Sequence, residues 1–175
     1  EHLAIGLQGR AGLRILSLKE QRIIASDDAY LDKLTDLSYA SDGRLVTTAL
    51  DGMVRLYDNR YKLRGRRIIP GGQKPIAVKF SPDNGEIAIG YADVPIVSIA
   101  SSKNLDLLHH PDHRDMEHQH NLLTVTWSDD GDYLYAGGEY RGDGPTPLYR
   151  WNKRGRGERD TIQVSRNRIP EIQQL

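Results

Sequence analysis

One short pattern comes back three times along this chain and limits its fold more than any other feature: Tyr39-Ala-Ser-Asp-Gly43, Phe80-Ser-Pro-Asp-Asn84 and Trp127-Ser-Asp-Asp-Gly131. Each copy is an aromatic residue followed by a turn. The aspartates Asp42, Asp83 and Asp130 lie 41 and 47 residues apart. Asp accepts hydrogen bonds from amides two residues on, while Gly or Asn takes up the left-handed backbone that closes a hairpin. On either side the residues alternate or run apolar, with Leu34, Leu37 and Tyr39 before the first turn and Leu45-Val-Thr-Thr-Ala49 after it. These are paired antiparallel strands.

A third strand follows in each unit: Met53–Asp58, Pro95–Ala100 and Pro147–Asn152. A weaker fourth comes after it at Arg67–Ile69, Leu105–Leu108 and Thr161–Val164. Four short strands in about 40–45 residues make the blade of a β-propeller. Val54-Arg-Leu-Tyr-Asp58 resembles the WD40 ending V-R-L-W-D, Phe80-Ser-Pro-Asp-Asn84 resembles that family's F-S-P-D-G turn, and Trp151-Asn152 is a looser match. The chain therefore resembles the WD40-repeat β-propellers over nearly its whole length. None of the repeats carries the Gly-His pair that usually precedes a blade, so the resemblance implies that the family's buried His-Ser-Asp-Trp network is absent or degraded.

The expected fold is all-β, built of four-stranded antiparallel blades, about four blades' worth with three complete. Residues 1–27 form a partial blade, because Glu1-His-Leu-Ala-Ile-Gly6 resembles Gly85-Glu-Ile-Ala-Ile-Gly90, the second strand of its unit. Blades then follow at 34–69 and 75–109, a histidine-rich loop at 110–120, a blade at 121–165 and a closing or first strand at 168–175. Sixteen strands are expected, the last supplying what the first blade lacks, since pairing the ends removes an exposed edge. Three arrangements fit: a ring closed within one chain, two chains exchanging residues 168–175 in a homodimer, or half of a longer propeller. A start at Glu1 rather than Met favours a piece of a longer protein.

Lys plus Arg equals Asp plus Glu at 24 each, so no overall field draws the chain to nucleic acid or membrane and partner choice falls to local patches. There are no cysteines, which removes disulfides, thiolate metal sites and cysteine nucleophiles and fits a reducing, cytoplasmic setting. No apolar run is long enough to span a bilayer, and the chain reads as soluble.

The segment 109–120 holds five of the six histidines: His109, His110, His113, His118 and His120. With Asp112, Asp115 and Glu117 they are metal candidates, but a solvated, pH-sensitive binding loop between blades is the favoured reading, and no cofactor is expected. Basic residues gather at Arg60, Lys62, Arg64, Arg66 and Arg67, and again at Arg150, Lys153, Arg154, Arg156, Arg159, Arg166 and Arg168. They suit RNA or another polyanion, or else protect outer strands from pairing with other chains. No Gly-x-Ser-x-Gly elbow, His-Glu-x-x-His pair or phosphate-binding glycine loop occurs. The resemblance implies a non-catalytic scaffold for protein partners, with RNA binding as the alternative. The family's usual binding face carries the fourth-to-first and second-to-third loops, which maps here onto Asp51, Arg60, Asp93, His110, His113, Tyr140, Arg141 and Asp143.

Overall fold

The computed structural model describes residues 1–114, 116, 121–139, 146–164 and 172–174. Fifteen strands fall into four antiparallel sheets, each running in chain order. The first has three: β1 (His2–Gly6), β2 (Leu13–Ser17) and β3 (Arg22–Asp27). The second has β4 (Leu34–Tyr39), β5 (Leu45–Ala49), β6 (Val54–Tyr57) and β7 (Leu63–Arg67). The third has β8 (Pro75–Phe80), β9 (Glu86–Tyr91), β10 (Val97–Ser101) and β11 (Leu107–His109). The fourth has β12 (Thr124–Trp127), β13 (Leu134–Gly137), β14 (Pro147–Trp151) and β15 (Arg159–Gln163). No helix among the described residues is long and apolar enough to cross a membrane.

The repeated turns do what their residues dictate. Gly43, Asn84 and Gly131 share the left-handed backbone at φ +86°, +59° and +77°. The aspartate before each accepts the N–H of the residue after it: Arg44 at 3.1 Å, Gly85 at 3.0 Å and Asp132 at 3.0 Å. Asn84 adds a tie of its own, accepting the Ser41 N–H of the neighbouring sheet's turn at 3.0 Å.

The inner strands of the second and third sheets are buried on both faces, because each of these two sheets packs between two others. Successive side chains therefore serve different cores. Leu45 joins Ile15, Leu34 and Tyr57 between the first and second sheets, whereas Val46 joins Val78, Phe80 and Ile89 between the second and third. Ala88, Val97, Ile99, Val125, Trp127 and Trp151 fill the next layer. Close approach is built in where β9 meets the fourth sheet: a Cβ on Gly90 would stand 2.4 Å from the Leu122 carbonyl oxygen.

The outer strands depart from their expected positions. β7 begins at Leu63, not Arg67, and β11 begins at Leu107. Ile69 is buried in the core behind β7, and Leu105 is buried inside a turn at φ +63°. Both are apolar because they plug loops, which from the sequence looks like strand.

The sheets follow one another in an arc, β4 against β8 and β8 against β12, and among the described residues the first and fourth sheets do not join. Most of the expected closing strand lies outside the described residues. Of the part described, Ile172 donates its N–H to the Gly138 carbonyl at 3.0 Å and so stands beside the fourth sheet. Leu122 makes the same relation to Tyr91, at 3.2 Å, one sheet earlier. Ile172 thus takes the place that opens a first strand.

Candidate interaction rim

In a meander of four strands the turns alternate between two ends. The first-to-second and third-to-fourth turns share one rim, and the second-to-third and fourth-to-first loops share the other. Asp51 lies between β5 and β6, Asp93 between β9 and β10, and His110 and His113 between β11 and β12, all on the second rim. Arg60 lies between β6 and β7, on the opposite rim. Its expected place with the others is corrected by the alternation of the hairpins. Tyr140, Arg141, Asp143, His118 and His120 lie outside the described residues.

Asp51 faces inward. Its carboxylate takes both terminal nitrogens of Arg55, at 2.6 and 3.1 Å, and the N–H groups of Leu31 and Met53. Both charged side chains are 2% exposed. The guanidinium also lies 3.9 Å from the centre of the Tyr30 ring and donates to the Ala29 carbonyl. Burial alone would raise the Asp51 carboxyl, but the Arg55 hydrogen bonds and the two amides hold it below its ordinary value. The carboxylate is engaged in the fold: it joins a second-to-third turn to the loop that enters the same sheet.

Beside this pair runs a chain of hydroxyls. Tyr57 donates to Asp27 at 2.7 Å and stands 2.9 Å from Tyr30, which stands 2.7 Å from Thr47. With the Tyr57 proton given to Asp27, the order is fixed: Thr47 donates to Tyr30, and Tyr30 to Tyr57. Burial raises both phenols above their usual range. The buried polar network expected to be absent or degraded is thus present in altered form, carried by Tyr30, Thr47 and Tyr57 with Asp51 and Arg55 alongside.

The third sheet repeats the plan more sparingly. Asp93 is exposed, yet its two oxygens accept the Gln73 and Lys74 N–H groups at 2.8 and 3.1 Å. Tyr91, pushed up to about 12 by burial, donates to Ser98, which donates to the Pro70 carbonyl. His110 Nδ1 lies 3.3 Å from both Ser98 Oγ and the Val97 carbonyl oxygen.

His109 and His110 are successive residues, and their rings meet different surroundings: His109 sits 3.3 Å from the Arg154 carbonyl oxygen. Burial and Arg156 hold its imidazole below its usual value. His110 instead meets the exposed His113 ring, centroids 6.1 Å apart. Among the described residues no three histidines or carboxylates are grouped to hold a metal ion. The start of the histidine-rich loop is anchored: Trp151 donates to the Asp112 carbonyl at 2.8 Å, and Arg159 to the Asp112 and Arg114 carbonyls.

The second basic group is largely neutralised. Arg150 pairs with Asp160, Arg154 with Asp83 and Glu86, and Arg156 with Glu86. Arg166 and Arg168 lie outside the described residues.

Two residues not singled out from the sequence stand on the second rim. Leu31 is 69% exposed and Ile68 64%, the highest values among the exposed large apolar side chains described, and both sit in fourth-to-first loops. Their signal in the sequence was an apolar residue amid polar neighbours, as in Tyr30-Leu-Asp-Lys33.

Comparison with known proteins now bears on this geometry. The family model described as WD40, WD domain, G-beta repeat, matches residues 21–58, the stretch that holds the Asp27–Tyr57–Tyr30–Thr47 network. Residues 21–58 are similar to a WD40 repeat. A chain in the Crystal Structure of Mitotic Checkpoint Complex superimposes with a TM-score of 0.73 over 93% of this chain, at 18% identity. A chain of Kuenenia stuttgartiensis Hydrazine Synthase does so with a TM-score of 0.76 over 95%, also at 18% identity. The matches take up 49% and 47% of those chains, so this chain spans about half the length of the solved structures it matches. At that identity the likeness shows the fold alone, an all-β arrangement of antiparallel blades of propeller type. No curated protein matches the sequence.

Proposed function

We propose that this arc of WD40-type blades is a non-catalytic platform that binds other proteins through the rim of second-to-third and fourth-to-first loops. The observation that carries the reading is the placement of Leu31 and Ile68. Two strongly exposed apolar side chains stand in equivalent loops of neighbouring blades, on the rim that also carries Asp93, His110 and His113. An apolar anchor inside a polar surround is what a protein interface needs. The loops are also fixed in advance: Asp51 and Asp93 tie them across about twenty residues of chain, so little ordering remains to oppose binding. A cysteine-free sequence suits a reducing, cytoplasmic setting for such a platform.

The test is a Leu31→Ser/Ile68→Ser variant, both sites lying on the surface. Proteins that co-purify with the chain in stoichiometric amounts are expected to be lost from the variant while its melting temperature holds. Retention of the same proteins in the same amounts would refute the assignment of this rim.

A further inference from the structure

The outer strand of the second blade differs in kind from the other three. β7 is Leu63-Arg-Gly-Arg-Arg67, with three cations and no acid. β3 offsets Arg22 with Asp27, β15 offsets Arg159 with Asp160, and β11 is Leu-Leu-His. If basic residues served only to keep exposed edges from pairing, all four outer strands would need them alike. The charge is concentrated on one.

That charge is only partly paired. Arg67 reaches Asp106 at 2.8 Å, and Arg64 comes only to 4.0 Å from Asp58. Among the described residues no ion pair is made by Lys62, Arg66 or Lys103, all of them exposed. The strand flanks a groove of about 230 Å³ shared with the turn between β10 and β11, where Arg64, Arg66 and Arg67 face Lys103, Asn104 and Leu105. Gly65, at the middle of the strand, leaves its side open, with nothing within 4 Å of where a Cβ would stand. β7 pairs only with β6 among the described strands, so its other edge offers backbone donors and acceptors.

We propose that β7 is a docking edge for an extended, acidic peptide segment of a partner protein. The segment adds as a further strand on the second blade and places carboxylates in the groove between Arg64, Arg66 and Lys103. Main-chain pairing supplies affinity and alternate side chains supply selectivity, the mode by which exposed sheet edges capture peptides. RNA would use the same cations, but its bases need stacking surfaces, and no aromatic residue lines this groove. Leu63, partly exposed at the strand's start, suits an apolar residue of a peptide instead.

This inference rests on the platform reading but uses a different surface. The two are separable, because Leu31 and Ile68 belong to the loop rim and are left intact here. The test titrates the full chain, by fluorescence anisotropy, with an extended peptide alternating glutamate and valine, a lysine–valine counterpart and oligouridylate. The acidic peptide is expected to bind, to lose about tenfold affinity in Arg64→Glu/Arg66→Glu, and to hold its affinity in Arg22→Glu on β3. Arg64→Lys/Arg66→Lys, which keeps the charge, guards against a folding artefact and is expected to retain most binding. Hydrogen exchange at residues 63–67 is expected to slow in the complex. No binding of the acidic peptide, binding indifferent to the Arg64/Arg66 reversal, no change in exchange at β7, or tighter binding of oligouridylate at these residues would each overturn the proposal. Should the peptide fail while the Leu31/Ile68 variant loses its partners, the platform stands and the edge falls.

Discussion

Arg55 and Asp51 are each 2% exposed at the side chain, and charges so placed are tolerable only while both are present and in contact. Removing one leaves the other buried and alone, so Asp51→Ala is expected to cost about 3–5 kcal/mol in urea unfolding. Asp51→Ala/Arg55→Met is expected to cost less than the sum of its single changes, a coupling that a double-mutant cycle reads directly. Asp83 carries a pH dependence. The Ser81 hydroxyl, the Gly85 amide and Arg154 hold its carboxyl down to about 2. An unfolded aspartate titrates near about 4, so ionised Asp83 stabilises the fold above that pH, and the benefit disappears as pH falls towards about 2. In acid titrations followed by circular dichroism, Asp83→Asn is therefore expected to lose less stability than the parent over that interval. At this scale the sequence was legible where one residue type meets one backbone need, as at Gly43, Asn84 and Gly131. It was not legible where the answer depended on what faces the residue. Asp51-Gly52 has the composition of an exposed turn, and only the inward turn of Arg55, four residues on, reveals it as half of a buried pair.

Among elements, the inner strands were placed well and the outer ones poorly, for one reason. β5 and β9 are buried on both faces and stand out as apolar runs, whereas β7 and β15 are covered by little and carry charge. Apolar residues flanking the outer strands, Ile68-Ile69 after β7 and Leu105 before β11, draw the eye to the wrong register. Arg60 was misplaced because its loop was chosen by chemistry, without counting which hairpins share an end. The contact between blades sets narrow limits on substitution. Gly90→Ala pushes a Cβ to within 2.4 Å of the Leu122 carbonyl, where backbone must move, and is expected to cost about 1–3 kcal/mol in thermal unfolding. The anchored loop after β11 gives a second check. Trp151→Phe keeps one aromatic ring but removes the donor to the Asp112 carbonyl and part of a buried side chain, so it is expected to lose more than the roughly 1 kcal/mol of the hydrogen bond and to speed proteolysis within residues 110–114.

On the scale of the molecule, three apolar layers join four sheets into an arc, and the repeated turns were enough to foresee its four-stranded blades from the sequence, though not whether they close into a ring. The two surfaces proposed for binding differ in character: a fixed loop rim with Leu31 and Ile68 exposed, and a basic outer edge at β7. The sequence disclosed the charge of the second but not how much of it is left unpaired, because the pairing of Arg154 and Arg156 in the other group with Asp83 and Glu86 depends on contacts between distant segments. The most direct test of the platform reading is hydrogen exchange by mass spectrometry on the chain alone and with a co-purified protein partner. Protection concentrated at residues 29–33, 50–53, 68–74, 92–96 and 110–114 is the predicted result, since these loops form one rim. Protection confined to residues 41–44, 59–62 and 83–85 would put the partner on the opposite rim and contradict the account.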